Sequence, residues 1–333
     1  MVSENGDVKN DNKTFTDDEA ALYDRQIRLW GVDAQKRINS SKILIIGMGG
    51  VGAEVAKNII LGGVKSVTLL DADDVSELDN VCQFLAPRES IGQNRAEASK
   101  GRAQQLNPMV EVTADGASID DKPDSFFTSF SIIIATNCTK TQIMRLNKVT
   151  RENDIKFLIS DVFGFFGFIF LDLGEHRYKT EVVNMAAKKG DVNVIDGLSR
   201  YISFLDAISI DWNLEEFAAR AKKTRPGLFG LFVLLEFFEQ KKRKPLPSSR
   251  DEDLAELLKL RDEFIEKNGI AKDRIPDDFF ETVFGELGPS SAITGGVLAQ
   301  EVVKAVSQKD APLVNIFLCN PLTGTGYVEN LVD

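Results

Sequence analysis

"KILIIGMGGVGAEVAKNIILGG", residues 42–63, decides how the rest of the chain is read. A short apolar run, Lys42–Ile46, ends in the glycine-dense loop Gly47-Met48-Gly49-Gly50-Val51-Gly52, and a helical stretch, Gly50–Leu61, follows. The spacing Gly47-x-Gly49-x-x-Gly52 permits a tight turn, close approach of backbone to a ligand, and close packing of helix on strand. The following helix N-terminus offers free N–H groups and a positive dipole end to a phosphate. A second strand over 66–71 ends on Asp71, where a carboxylate would meet a ribose hydroxyl. Strand, loop, helix, strand and acid in this order predict a nucleotide-binding fold. They leave open whether the cradle holds a nucleotide or keeps only its shape.

Outward from this unit the pattern repeats. Residues 94–106 read as a helix that stops at Asn107-Pro108, because proline has no N–H to continue it. Strands are predicted at 110–113, 132–136 and 155–160, with a helix at 139–151 between the last two. Continuous apolar strands alternating with helices predict a doubly wound α/β fold, its mostly parallel sheet covered on both faces. From about residue 176 the pattern changes. A mixed loop-and-strand stretch gives way to helices at 201–210, 213–222, 228–242 and 254–267. These predict a mainly helical insertion over 176–270 in an α/β domain made of 15–175 and 271–333. The return runs through "AITGGVLAQEVVKAVSQ" (292–308) and the strand "VNIFLCN" (314–320).

The 333 residues carry a net charge of −11, which argues against nucleic-acid binding, where basic surfaces are favoured. No window approaches the roughly 18 apolar residues that span a bilayer, so no membrane partner is expected. The polar start, residues 1–14, reads as a disordered tail without a secretory core. Three cysteines, Cys82, Cys138 and Cys319, lie far apart with no CxxC, so neither a zinc site nor a disulfide framework is expected. Each reads as an inert thiol. His176 is the only histidine, which leaves metal sites and His-dependent catalysis almost nothing to work with.

An NAD-dependent oxidoreductase is the obvious reading of the loop, and it fits poorly, because no catalytic His or Tyr–Lys arrangement follows. The neighbouring sequence points elsewhere. "ALYDRQIRLWGVDAQKRI" (21–38), "LLDADDVSELDNVCQFL" (69–85), "IGQNRAEASKGRAQQLNP" (91–108) and "AITGGVLAQEVVKAV" (292–306) resemble the ThiF/ubiquitin-activating family, the adenylating enzymes of ubiquitin-like proteins. "DDKPDSFFTSF" (120–130) and "SDVFGFFGFIFLDLGEH" (160–176) narrow the resemblance to the smaller, non-catalytic subunits of its heterodimeric SUMO-activating branch.

That resemblance implies a pseudo-adenylation domain. Active members hold ATP and magnesium with an Asp-x-Asp pair, present here as Asp71-Ala72-Asp73, and with Asn-Leu-Asn-Arg-Gln. The latter is replaced by Asp79-Asn80-Val81-Cys82-Gln83. A cation and two amides have become a thiol, an apolar side chain and an anion, and an anion beside a triphosphate repels it. The lost charge-assisted contact alone would cost about 1.5–3 kcal/mol. The family's helix lysine appears as Arg95, and its magnesium-placing acid as Asn137. The cofactor residues Gly47, Gly49, Gly52 and Asp71 are therefore read as vestigial. No cofactor is expected on this chain, and ATP and magnesium are assigned to a larger partner subunit carrying the catalytic cysteine.

One catalytic candidate remains, Arg25 in Tyr23-Asp24-Arg25-Gln26, on a helix that a Thr16–Glu19 capping box would start. The resemblance implies that adenylating domains pair about a pseudo-two-fold axis and that this arginine reaches the partner's ATP. Arg28 is a weaker second contact, and an ordinary salt bridge is the alternative for Arg25. Other implied partners are SUMO and its conjugating enzyme, in the nucleus and also the cytoplasm. "KKRK" (241–244) reads either as a nuclear import signal or as a solvated cluster at a helix end. The rivals are a self-sufficient homodimeric adenylase, which Val81, Cys82 and Asn137 disfavour, and a pure scaffold subunit without a catalytic contribution.

Overall fold

A computed structural model describes residues 15–183 and 192–331. The tail expected at 1–14 lies outside the described residues.

Among the described residues ten strands are present: β1 (Lys42–Ile46), β2 (Ser66–Leu70), β3 (Glu111–Asp115), β4 (Ile132–Ala135), β5 (Lys156–Phe163), β6 (Phe166–Asp172), β7 (Glu175–Val183), β8 (Val192–Arg200), β9 (Ile316–Asn320) and β10 (Thr325–Glu329). Eight form one sheet in the order β10-β9-β6-β5-β4-β1-β2-β3. The β3-β2-β1-β4-β5 half is parallel, and β6, β9 and β10 extend it antiparallel. β1 lies at the centre of the parallel half and has apolar side chains for both faces. Leu44 and Ile46 enter one hydrophobic core and Ile43 and Ile45 the other. Strand order reverses between β1 and β4. In open α/β sheets the crevice beyond the carboxyl ends at such a switch point is where ligands sit.

The helices at Gly50–Leu61, Arg95–Leu106 and Lys140–Glu152 fall within a residue or so of their expected positions. Asn94 and Thr139 cap the last two through the N–H groups of Glu97 and Gln142. β6 begins in the Phe-rich run 162–170, beyond the strand expected at 155–160. It becomes a strand because Gly164, at φ 55°, starts a two-residue turn pairing Phe163 with Phe166. Every residue of β6 is buried.

The stretch 176–270 holds the rest of the two-stranded β7–β8 ribbon and four helices, of which Pro226–Lys241 and Arg250–Asn268 are the longest. Phe229, Leu234 and Phe237 of the first share one core with Phe168, Ile316 and Leu318 of the large sheet. The aromatic density of both segments is core packing over one face of the sheet.

Candidate functional site

The glycine loop leaves the carboxyl end of β1 as expected. Gly47 has φ 83°, and a side chain there would strike the Thr136 carbonyl. At Gly52 an added Cβ would meet the Gly47 carbonyl oxygen, so this glycine lets helix and strand close on each other. Gly49 faces the Asn137 amide and the Glu286 carboxylate, 2.8 and 3.0 Å from where its Cβ would stand. The local geometry of a nucleotide cradle is complete.

Its polar groups, however, are taken up by the protein itself. Asp71 is buried and accepts from the Met48 N–H at 2.6 Å, the Asp73 N–H at 2.9 Å, and Arg95 Nε at 2.8 Å. Arg95 is drawn inward by three carboxylates, Asp71, Asp79 (3.1 Å) and Asp73 (3.0 Å). Burial disfavours its charge, but Asp71 above all, then Asp79 and Asp73, outweigh burial and raise its pKa. Asp79, standing where the family has an amide, also accepts from the N–H and hydroxyl of Ser76. Gln83 braces the loop from behind. Its Nε2 donates to the Met48 carbonyl, and its Oε1 accepts from the N–H groups of Leu85 and Ala86.

At the helix N-terminus, where a phosphate would be held, stands Glu286. Its Oε1 accepts from the Val51 N–H at 3.1 Å and from the Ser291 hydroxyl at 3.3 Å. Lys244 Nζ lies between Glu286 Oε2 (3.4 Å) and the Asp161 carboxylate. Burial works against the Lys244 charge, but Asp161 and Glu286 outweigh it and raise its pKa. Asp161 also accepts from the N–H of Asn137, which sits in a left-handed conformation at φ 52°. Cys82 packs on Gly50, its Sγ 2.8 Å from where a glycine Cβ would be. A carboxylate at the dipole end, backed by Asp161 and Asp79, makes this place repulsive to a triphosphate.

None of the three thiols is poised for chemistry. Burial first, then the charge of Glu286, pushes Cys82 up to about 12, although it is only half-buried. Burial likewise raises Cys138 and Cys319. Burial, with a smaller push from Lys156, lowers His176 to about 4, so it is a neutral interior side chain. Among the described residues no group of His, Cys, Asp and Glu has the arrangement of a metal site, and no helix is long and apolar enough to cross a membrane.

Arg25 lies away from the cradle, on the helix Asp24–Trp30, and is exposed. Among the described residues it has no hydrogen-bond or ion-pair partner. Arg28 does pair, with Asp24 at 3.0 Å. The Thr16–Glu19 capping box is present, but the helix it starts is Asp17–Leu22, and Arg25 stands on the next helix, which begins after Tyr23. The exposed surface of this segment mixes the Asp24–Arg28 pair with apolar side chains. Leu22, Leu29 and Val32 are 49%, 71% and 45% exposed. A 520 Å³ cavity lined by Leu29, Trp30 and Val303 together with Lys304, Lys309 and Asp310 opens beside them.

The KKRK run is fully ion-paired. Lys241 faces Glu256, Lys242 pairs with Glu239, Arg243 grips Asp253, and Lys244 is the buried cation of the cradle. Sequence reasoning missed Asp161, Lys244 and Glu286 as a unit, since they lie on distant segments that only the fold brings together. The acidic "GELGP" ahead of the helix Gly288–Ser307 was the one visible signal, and nothing in it pointed to Lys244.

The sequence profile of the ThiF family matches residues 23–331. SUMO-activating enzyme subunit 1 of Xenopus tropicalis is 42% identical, over 97% of this chain and 99% of that protein. The same-named protein of Rattus norvegicus is 43% identical over 98% and 99%, and that of Homo sapiens 42% over 95% and 96%.

Proposed function

The chain belongs to the ThiF family, and on that premise we propose that it is the smaller, non-catalytic subunit of a heterodimeric SUMO-activating enzyme. The carrying observation is how its cations are arranged. Arg95 and Lys244, the cations of the cradle, are held by the chain's own carboxylates, while Arg25 is exposed and without a partner among the described residues.

In this reading the chain holds no nucleotide, and a larger subunit binds ATP and magnesium and carries the thioester-forming cysteine. The SUMO C-terminal carboxylate attacks the α-phosphorus there, pyrophosphate leaves, and the modifier passes on to a conjugating enzyme. The exposed rim that carries Leu22, Leu29 and Val32 along with Arg25 serves as contact surface for the larger subunit. Docking of that rim delivers the Arg25 guanidinium to the partner's ATP, where it stabilises charge developing on the leaving pyrophosphate. The nuclear and cytoplasmic location expected for such an enzyme belongs to the same proposal. The KKRK run is a poor carrier for nuclear import, because Lys244 is buried in an ion-paired cluster.

The test is ATP–pyrophosphate exchange by the assembled complex. Arg25→Ala is expected to slow exchange by about 10²-fold, the scale of removing one transition-state charge contact. Exchange at the wild-type rate would refute the trans role and leave a scaffold subunit.

A further inference from the structure

We propose that Tyr23, with Asn107 and Gly63, is the device that positions Arg25 in its reaction. This inference rests on the trans reading of Arg25 and extends it inward from the surface.

Arg25 stands on a helix of seven residues that has no buried residue of its own. A helix that short is marginal alone, so tertiary contacts must fix its place. Tyr23, which caps it, is 2% exposed, and its carbonyl accepts from the Ile27 N–H at 2.8 Å. Its ring lies on Gly63, at φ 81°, so closely that an added Cβ would collide with the ring carbons and with the hydroxyl at 2.6 Å. The phenol oxygen accepts from Asn107 Nδ2 at 3.0 Å, and that nitrogen also donates to the Ile60 carbonyl at 3.0 Å. Asn107 is 3% exposed and anchored by the Met109 N–H on its Oδ1. Burial first, relieved partly by Asn107, raises the Tyr23 pKa, so the phenol stays protonated at neutral pH.

A second clamp holds the far end. Trp30 Nε1 donates to Gln35 Oε1 at 2.9 Å, and Gln35 Nε2 donates to the Gly62 carbonyl at 3.0 Å. Both clamps therefore close on the Gly62-Gly63 turn, where the helix Gly50–Leu61 ends. That helix begins at the glycine loop, so the degenerate cradle keeps a use as a rigid strut. It carries Tyr23 two residues from Arg25, and a shift of about 1 Å in such a group costs orders of magnitude in rate.

The experiment is exchange by the assembled complex with Tyr23→Phe and Gly63→Ala, each in wild-type and Arg25→Ala backgrounds, with melting temperatures measured alongside. Tyr23→Phe removes one hydrogen bond and is expected to slow exchange roughly two- to tenfold. Gly63→Ala, which displaces the ring, is expected to slow it by more than about tenfold. Both effects should vanish in the Arg25→Ala background, because a positioning residue has nothing left to position. Equal slowing in both backgrounds would mean a purely structural role and overturn the inference, as would wild-type rates for both variants. If Arg25→Ala itself exchanges at the wild-type rate, the trans reading fails first and takes this inference with it.

Discussion

Replacing Arg95 by methionine separates a structural cation from a nucleotide-binding one. In the structure the guanidinium is 10% exposed and faces two buried carboxylates, Asp71 at 5% and Asp79 at 9%, with Asp73 at 74% on the rim. Arg95→Met keeps most of the aliphatic volume but leaves Asp71 and Asp79 as uncompensated neighbouring charges. Breaking a buried pair in this way costs about 3–5 kcal/mol, and the exposed Asp73 contact adds at most about 1 kcal/mol. The remaining donors, Met48 N–H on Asp71 and Ser76 on Asp79, keep both carboxylates hydrogen-bonded. The expected loss is therefore near the lower figure, about 3 kcal/mol, or roughly 4 °C in melting temperature for a chain this long. Calorimetry measures it, and adding Asp71→Asn with Asp79→Asn should restore at least half. In the assembled complex the KM for ATP should not move. Wild-type melting with a raised KM for ATP would refute the reasoning, because Arg95 would then be serving nucleotide rather than fold.

Lys244→Met should cost about 3–5 kcal/mol by urea titration, since it leaves Asp161 and Glu286 buried together, whereas Lys242→Ala in the same basic run, 61% exposed, should stay within about 0.5 kcal/mol. Equal effects at the two lysines would contradict the buried role. The lowered pKa of His176, about 4, sets a pH dependence. The unfolded chain takes up a proton near pH 6.5 that the folded chain refuses until about pH 4, so this contribution is complete above 6.5 and is lost as pH falls between the two. The loss reaches about 3 kcal/mol. Urea midpoints at pH 7 and 4.5 should draw closer in His176→Phe than in wild type, and an unchanged gap would mean that His176 titrates normally.

What the sequence made legible follows from its physics. β1, β2, β4 and β5 are mostly buried and alternate with helices, so apolar runs and the Asn94 and Thr139 caps marked them closely, while β3 is a half-exposed edge strand. β6 and β10 were not legible as strands. Their pairing is antiparallel and depends on a turn at Gly164 and on the distant β9. In the site, the losses at Val81, Cys82 and Asn137 were readable one by one. The cause of closure was not, because Lys244 looked like one more lysine in a basic run, and Glu286 lies far from the helix it caps. Tyr23 stood in plain view beside Arg25, yet its role depends on the Gly62-Gly63 turn and Asn107, which no local pattern connects to it.

The central claim is that this chain shapes an adenylating enzyme without holding its nucleotide. Equilibrium dialysis of magnesium–ATP tests it most directly, on the purified chain and on its complex with the larger subunit. The account predicts no saturable binding to the chain alone and a single ATP per heterodimer, unchanged in number by Lys244→Met. Saturable binding to the chain alone, or a second ATP in the complex, would contradict it.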